Sequence, residues 1–231
     1  MKKLATSMIV VLALAGSAFA GETQLQKATN VVEEIMQTPD RGIPHDLFDR
    51  AVCIGIVPSE ITGALLVGGS YGRGVLVCRQ HGDGAWGAPS MFTLGAGSFG
   101  FQIGAKATDV VFIVMNHAGA KKLVQDSIKL GADISVAAGP VGRSAEGATD
   151  VQLHAEILSY SRTRGLFAGV SLEGAVMKQD RDDNKDLYGR RVSAKQILID
   201  AEVAVPPAAE PLNHMLAKYS PRGGHAFAAS L

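Results

Sequence analysis

The sequence predicts an α+β domain built on a glycine-rich, strongly twisted antiparallel β-sheet or barrel-like core with a few flanking helices. Three observations carry this reading. Between Ala51 and Ala105 five short apolar runs, AVCIGIV, ALLVGG, GVLVCR, SMFTLG and GFQIGA, are divided by glycine and proline turns. Residues 63–104 hold 12 of the 27 glycines, and glycine inside a strand marks a bulge, a sharp bend or a close backbone approach. Residues 22–38 and 192–200 carry helical spacing and capping instead.

The first 20 residues stand apart from that domain. Lys2 and Lys3 give a positive start, Met8 to Ala15 is almost wholly apolar, and Ala18-Phe19-Ala20 places small residues where a signal peptidase reads. A cleavable signal peptide cut after Ala20 is expected, and with it a periplasmic or secreted location. The apolar run falls short of the roughly 20 residues that span a bilayer. Removing 20 of 231 residues leaves 211, which suits one domain at 21–204 followed by a proline- and glycine-containing tail at 205–231.

The precursor has 22 basic and 22 acidic residues, and losing Lys2 and Lys3 leaves a formal charge of −2. Nucleic acid is an unsuitable partner for such a chain, because phosphate binding needs a clustered basic surface. A membrane surface needs only a local patch of Lys and Arg.

Taken in order, residues 22–38 place Leu25, Ala28, Val32, Ile35 and Met36 on one face of an amphipathic helix. That stripe covers the core or docks on lipid. A turn at Pro39 to Gly42 leads to a second short helix. After the five glycine-spaced strands, residues 108–115 (TDVVFIVM) are apolar on both faces and predict a central strand. Ala118 to Asp126 read as helix with Lys121 and Lys122 exposed, and Ile128 to Gly139 return to strand. In Val151 to Thr163 apolar and polar residues alternate as in a half-buried strand. Gly165 to Met177 reads as another strand, residues 180–189 as a polar turn or short helix, and Val192 to Asp200 as a helix capped by Ser193. Beyond Val203 the chain reads as loosely held, with a short helix through Leu212 to Tyr219.

Cys53 and Cys78 lie in apolar strand-like runs with one further strand between them. An exported chain permits a disulfide, and two buried free thiols fit the pattern equally. Gly68-Gly69-Ser70-Tyr71-Gly72 matches a nucleophile elbow, but Gly74 to Val77 continues as strand where that chemistry needs a helix. Gly95 to Gly100 matches G-x-G-x-x-G, yet neither the helix nor the acidic residue of a dinucleotide site follows. Asp180, Asp182, Asn184 and Asp186 alternate like the first ligands of a calcium loop, whereas Lys185 and Arg191 stand where the turn glycine and the bidentate glutamate belong. The six histidines show no ligand spacing. No metal and no cofactor is expected.

The segment Ser159 to Gly174, SYSRTRGLFAGVSLEG, closely resembles the signature of the SYLF domain family. Gly68 to Gly74, Trp86 to Ser90, Gln102 to Ala105, Gly139 to Arg143 and Leu187 to Gly189 resemble its other pieces, in order. The resemblance implies a non-catalytic lipid-binding module. Its eukaryotic members are membrane adaptors that bind phosphoinositides and in some cases actin, and its exported bacterial members are envelope proteins with affinity for phospholipid. In a periplasm actin is not expected as a partner, so anionic phospholipid is what the resemblance implies here, with protein partners unknown.

In such a module Arg162 and Arg164, two apart at a strand end, would face one side and hold a phosphate. Arg143, Lys121 and Lys122 would extend the patch, and Leu25, Val32, Ile35 and Met36 would form a membrane-contact helix. Arginines so placed also pair readily with carboxylates such as Glu173 or Glu146. The alternatives from other classes are a hydrolase using Ser70 or Ser161 with a histidine, and a scaffold for envelope proteins.

Overall fold

A computed structural model describes residues 24–37, 42–64, 67–82, 84–99, 104–141, 154–163 and 166–221. Helix α1 covers 24–36 and helix α2 His45–Arg50. Four long strands follow: β1 Cys53–Ala64, β2 Val67–Cys78, β3 Ser90–Phe99 and β4 Gly104–Val114. Next come helix α3 His117–Leu123 and strands β5 Ser127–Lys129, β6 Val136–Ala138, β7 Ile157–Thr163, β8 Leu166–Gly169 and β9 Val176–Gln179. Helices α4 Arg181–Tyr188, α5 Ala194–Leu198 and α6 Glu210–Tyr219 complete the described chain.

The strands form one sheet in the order β5-β9-β3-β2-β1-β4-β7-β6, and β8 shares with β6 the free edge of β7. Every pairing is antiparallel except β6 with β7. The expected α+β class and glycine-rich antiparallel sheet are therefore present. The chain itself dictates the curl. Strands β8 and β9 lie six interstrand steps apart, about 29 Å in a flat sheet at roughly 4.8 Å per step. Seven residue steps from Gly169 to Val176 reach only about 25 Å. The sheet must bend so that this link closes its two ends into a half-barrel.

Each face of the sheet has its own core. The inner face, crossed by the link through Leu172 and Ala175, holds Val57, Phe92, Leu94, Val110, Phe112 and Met177 against α3 and α5. The outer face, with Ile54, Ile56, Val75, Val77, Val111 and Ile113, is covered by α1, α2 and α6. Glycines on the two central strands create the inner core's shape. Gly55 stands opposite Phe112 and Gly74 opposite Phe92, and a Cβ on either would lie within 2.0 or 2.4 Å of the facing ring. Freed of those methyls, the two rings converge to 5.7 Å in an edge-to-face contact.

Several expected elements take a different form. AVCIGIV opens the 12-residue strand β1, while ALLVGG runs from the last residue of β1 into β2, which itself continues through GVLVC, so Cys53 and Cys78 are direct cross-strand partners with no strand between them. They are joined by a disulfide, with Cα atoms 4.0 Å apart. Gly165 to Met177 is two strands at opposite ends of the sheet, because the link with Gly174 at φ +83° interrupts it. The segment 205–221 is firmly docked where a loose tail was expected. Ala209, Leu212 and Leu216 are fully buried in the outer core. The buried Arg79 guanidinium donates to the carbonyls of Ala51, Gly84 and Ser220 at 2.8–3.1 Å and stacks on Trp86 at 4.2 Å.

Candidate functional site

In strand β1 the alternation of the pleat breaks at Pro58 and Ser59. Both stand opposite Asp109 alone, since Val57 pairs with Val110 and Glu60 with Thr108. This is a β-bulge, which tolerates proline and re-aims the side chains beyond it. Ser59 adopts φ +55°, a left-handed conformation costly for a residue other than glycine. Its N–H donates to Asp109 Oδ1 at 2.9 Å.

Asp109 is the centre of a small ionic network on the outer face. Its cross-strand partner Arg162 donates through Nε to Oδ2 at 2.8 Å and pairs with the same oxygen through Nη2 at 2.6 Å. The other arm of the guanidinium meets Glu34 of α1. The network thus joins α1, β7, β4 and the bulge. Its consequence lies on the opposite face. Without the extra residue Glu60 would point outward; with it, Glu60 shares the inner face with Val57 and Thr108.

There Glu60 lines a cleft of about 250 Å³ between the ends of β1, β2, β4 and β7 and the link 170–175. The polar lining comes from Glu60, Thr62, Ser70, Thr108, Ser161, Ser171 and Glu173, over an apolar floor that includes Val110 and Leu172. Glu60 is 8% exposed. Thr108 is held by a 3.2 Å hydrogen bond to Thr163. The two serines of the alternative hydrolase reading, Ser70 and Ser161, are both here, each within a strand. No histidine is among the lining residues. The backbone at Ser70 has no helix following it, so the nucleophile elbow is absent.

The sequence-predicted site residues do not assemble into one patch. Arg162 is committed to Asp109 and Glu34, which is the carboxylate pairing that competes with a phosphate role. Arg164 and Arg143 lie outside the described residues. Lys122 pairs with Glu156 at 2.8 Å, while Lys121 is exposed. Burial alone would raise the Glu156 carboxyl, but Lys122 and the Ser135 N–H outweigh it and hold it below its ordinary range. The expectation that Leu25, Val32, Ile35 and Met36 contact a membrane is corrected. They are between 1% and 7% exposed, because α1 lays its stripe on the outer face of the sheet. The apolar area that would have driven insertion is already spent on the core.

The calcium-loop pattern is likewise a helix. Asp180 caps α4 by accepting from Asp183 N–H at 3.0 Å, and Asp182 and Asp186 lie exposed along it. Asn184 is buried, accepting from Met91 N–H at 2.7 Å and donating to Ser90 at 3.3 Å. Arg73 pairs with Asp180 and Asp183. Alternate residues on a helix point to different sides, so these four cannot converge on one ion. Among the described residues no group of three or more His, Cys, Asp or Glu is placed to hold a metal.

Sequence reasoning missed Glu60, Asp109 and Arg79. Only Pro58, at the end of the apolar run AVCIGIV, signalled the bulge.

Comparison with known proteins places the chain. The profile of the Ysc84 family, described as Las17-binding protein actin regulator, matches residues 95–219. An SH3 domain-containing protein of Schizosaccharomyces pombe is 42% identical over 177 residues, which are 75% of this chain and 40% of that protein. LAS seventeen-binding protein 3 of Saccharomyces cerevisiae is 38% identical over 180 residues, 77% of this chain and 39% of its own. Human SH3 domain-containing YSC84-like protein 1 is 31% identical over 205 residues, 86% of this chain and 59% of its own. The chain therefore spans between about two fifths and three fifths of these relatives. With the family match covering more than half of its length, the chain belongs to the Ysc84, or SYLF domain, family.

Proposed function

We propose that the protein is an exported, non-catalytic component of the cell envelope that binds anionic phospholipid through its SYLF domain. The observation that carries this reading is the pair Ile61 and Tyr71. These cross-strand partners on β1 and β2 are 62% and 56% exposed, the large apolar side chains left open among the described residues. They sit beyond the bulge, on the outer face, where α1 no longer covers the sheet. Leu65 and Leu66 join the two strands in sequence. An aliphatic and an amphipathic aromatic side by side suit the interface of a bilayer, where tyrosine keeps its hydroxyl wet.

Export is supported by the signal-like residues 1–20, and the Cys53–Cys78 disulfide suits an oxidising compartment. No helix among the described residues is long and apolar enough to cross a membrane, so the contact proposed is superficial. The charge of the lipid follows from the family resemblance, and salt tests it. Co-sedimentation with phosphatidylglycerol vesicles should be strong at low salt and fall as salt rises. Ile61→Ser with Tyr71→Ser should weaken it at least fivefold without changing the thermal midpoint. Vesicles that pellet none of the wild-type protein at low salt would sink the proposal.

A second reading follows from the family's description and from the name of LAS seventeen-binding protein 3, both of which describe binding to a protein partner. For an exported chain that partner would be an envelope protein and not actin. Pull-downs that survive removal of lipid would favour it.

A further inference from the structure

Glu60 is more than nine-tenths buried as a residue and lines the cleft, and among the described residues no hydrogen bond or ion pair to its carboxylate is found. A carboxylate held in so enclosed a cleft without a counter-charge is costly. Three separate features nevertheless hold it there. The bulge turns it inward, the left-handed Ser59 maintains the bulge, and the Asp109–Arg162–Glu34 network fixes Ser59. Bulges that re-aim a side chain concentrate beside functional sites, and backbone strain persists where the surroundings enforce it.

We infer that the cleft binds a small organic cation, with an ammonium group seated on Glu60 and its polar substituents held by the hydroxyls around it. The chemistry of the lining selects this class. Glu60 and Glu173 are both acidic, so a bare phosphate is disfavoured here. Thr62, Ser70, Thr108 and Ser161 offer hydroxyls that accept from N–H and donate to oxygen. Two carboxylates are too few for the six to eight oxygens that calcium takes without a large contribution from water. Val110, Leu172 and Ala175 supply an apolar wall for the carbons of an amine. At about 250 Å³ the cleft holds several times the roughly 30 Å³ share of one water, which is room for an amino alcohol or for the head of an amine-bearing lipid. The inference is independent of the bilayer reading, since it concerns the inner face and the Ile61–Tyr71 pair the outer one.

Titrating ethanolamine into isotopically labelled protein tests it. Amide resonances of Thr62, Thr108 and Ser161 should shift and saturate, and Glu60→Gln, which keeps the side chain's shape, should weaken the response at least tenfold. Glu173→Gln should weaken it less. Phosphatidylcholine vesicles with and without phosphatidylethanolamine separate the two sources of the amine. A Glu60-dependent response to the lipid alone identifies a head group, and one to free ethanolamine identifies a soluble amine. Equal responses in wild type and Glu60→Gln overturn the inference, as does a response to calcium with none to the amine. Lys106 stands opposite Thr62 in the strand register. Should Lys106→Met and Glu60→Gln lower the thermal midpoint equally, with neither form of the amine acting, the counter-charge would be internal and the inference wrong.

Discussion

At the scale of single residues, one carboxylate connects the two faces of the sheet. Asp109 accepts the Ser59 N–H with one oxygen and the Arg162 fork with the other, so it fixes both the bulge and the docking of α1. Asp109→Ala removes both at once and leaves Arg162, only 17% exposed in its side chain, with Glu34 alone. A loss of about 2–3 kcal/mol is expected, in the range for breaking a partly buried charge pair. Asp109→Asn retains an acceptor for Ser59 while losing the charge, so it should cost less. Urea melts give the magnitudes, and amide exchange at Ser59 and Glu60 gives the mechanism. Exchange should accelerate in Asp109→Ala and stay near wild type in Asp109→Asn; acceleration in neither would mean that the bulge holds itself. Pro58 and the tendency of Arg162 to pair with a carboxylate were legible in the sequence, but the identity of that carboxylate was not, because Arg162 and Asp109 are 53 residues apart and become neighbours only through the β4–β7 register.

At the scale of elements, the periodic segments were legible and the interrupted ones were not. The amphipathic stripe of α1 and the Ser193 cap of α5 are local patterns, and local physics decides them: the capping box at Ser193 and Gln196 forms as its spacing implies. The partner of α1's stripe is not a local matter. An apolar face reads the same whether a sheet or a bilayer covers it, and here the sheet does. The strand Gly165 to Met177 was misread because alternation continues in sequence through the link that crosses the inner face. The glycine count signalled a tightly bent sheet, and its cause is now specific. Gly55 and Gly74 leave space for the rings of Phe112 and Phe92. Gly55→Ala places a methyl 2.0 Å from Phe112 Cζ, where the neighbouring residues Ile54, Ile56, Val111 and Ile113 are all buried and leave little room to give way. Overpacking of this kind costs about 1–3 kcal/mol and occasionally more, so a loss near the upper end is expected. The denaturation midpoint should fall with an unchanged slope; a wild-type midpoint would show that the ring has somewhere else to go.

At the scale of the whole molecule, stability comes from two cores sharing one sheet, and the disulfide belongs to the inner one. Cys53 belongs to the central strand β1, which pairs with β2 on one side and β4 on the other. The sequence showed two apolar cysteines and no way to choose between thiols and a bridge, since the choice depended on whether β1 and β2 form a hairpin. They do, so the bond closes a loop across 25 residues. Chain-entropy arguments assign about 3.5 kcal/mol to a loop of that size. Part of this is offset because β1 and β2 remain held by their own ladder and by the neighbours β3 and β4. The double substitution Cys53→Ala with Cys78→Ala should therefore lower stability by about 2–3 kcal/mol and leave the fold in place. The check compares urea midpoints of wild type with and without reductant against the variant, which should match the reduced wild type and ignore the reductant. If the reduced wild type instead lost its near-ultraviolet circular dichroism, the bond would be a condition of folding and the two cores too weak to hold the half-barrel closed unaided.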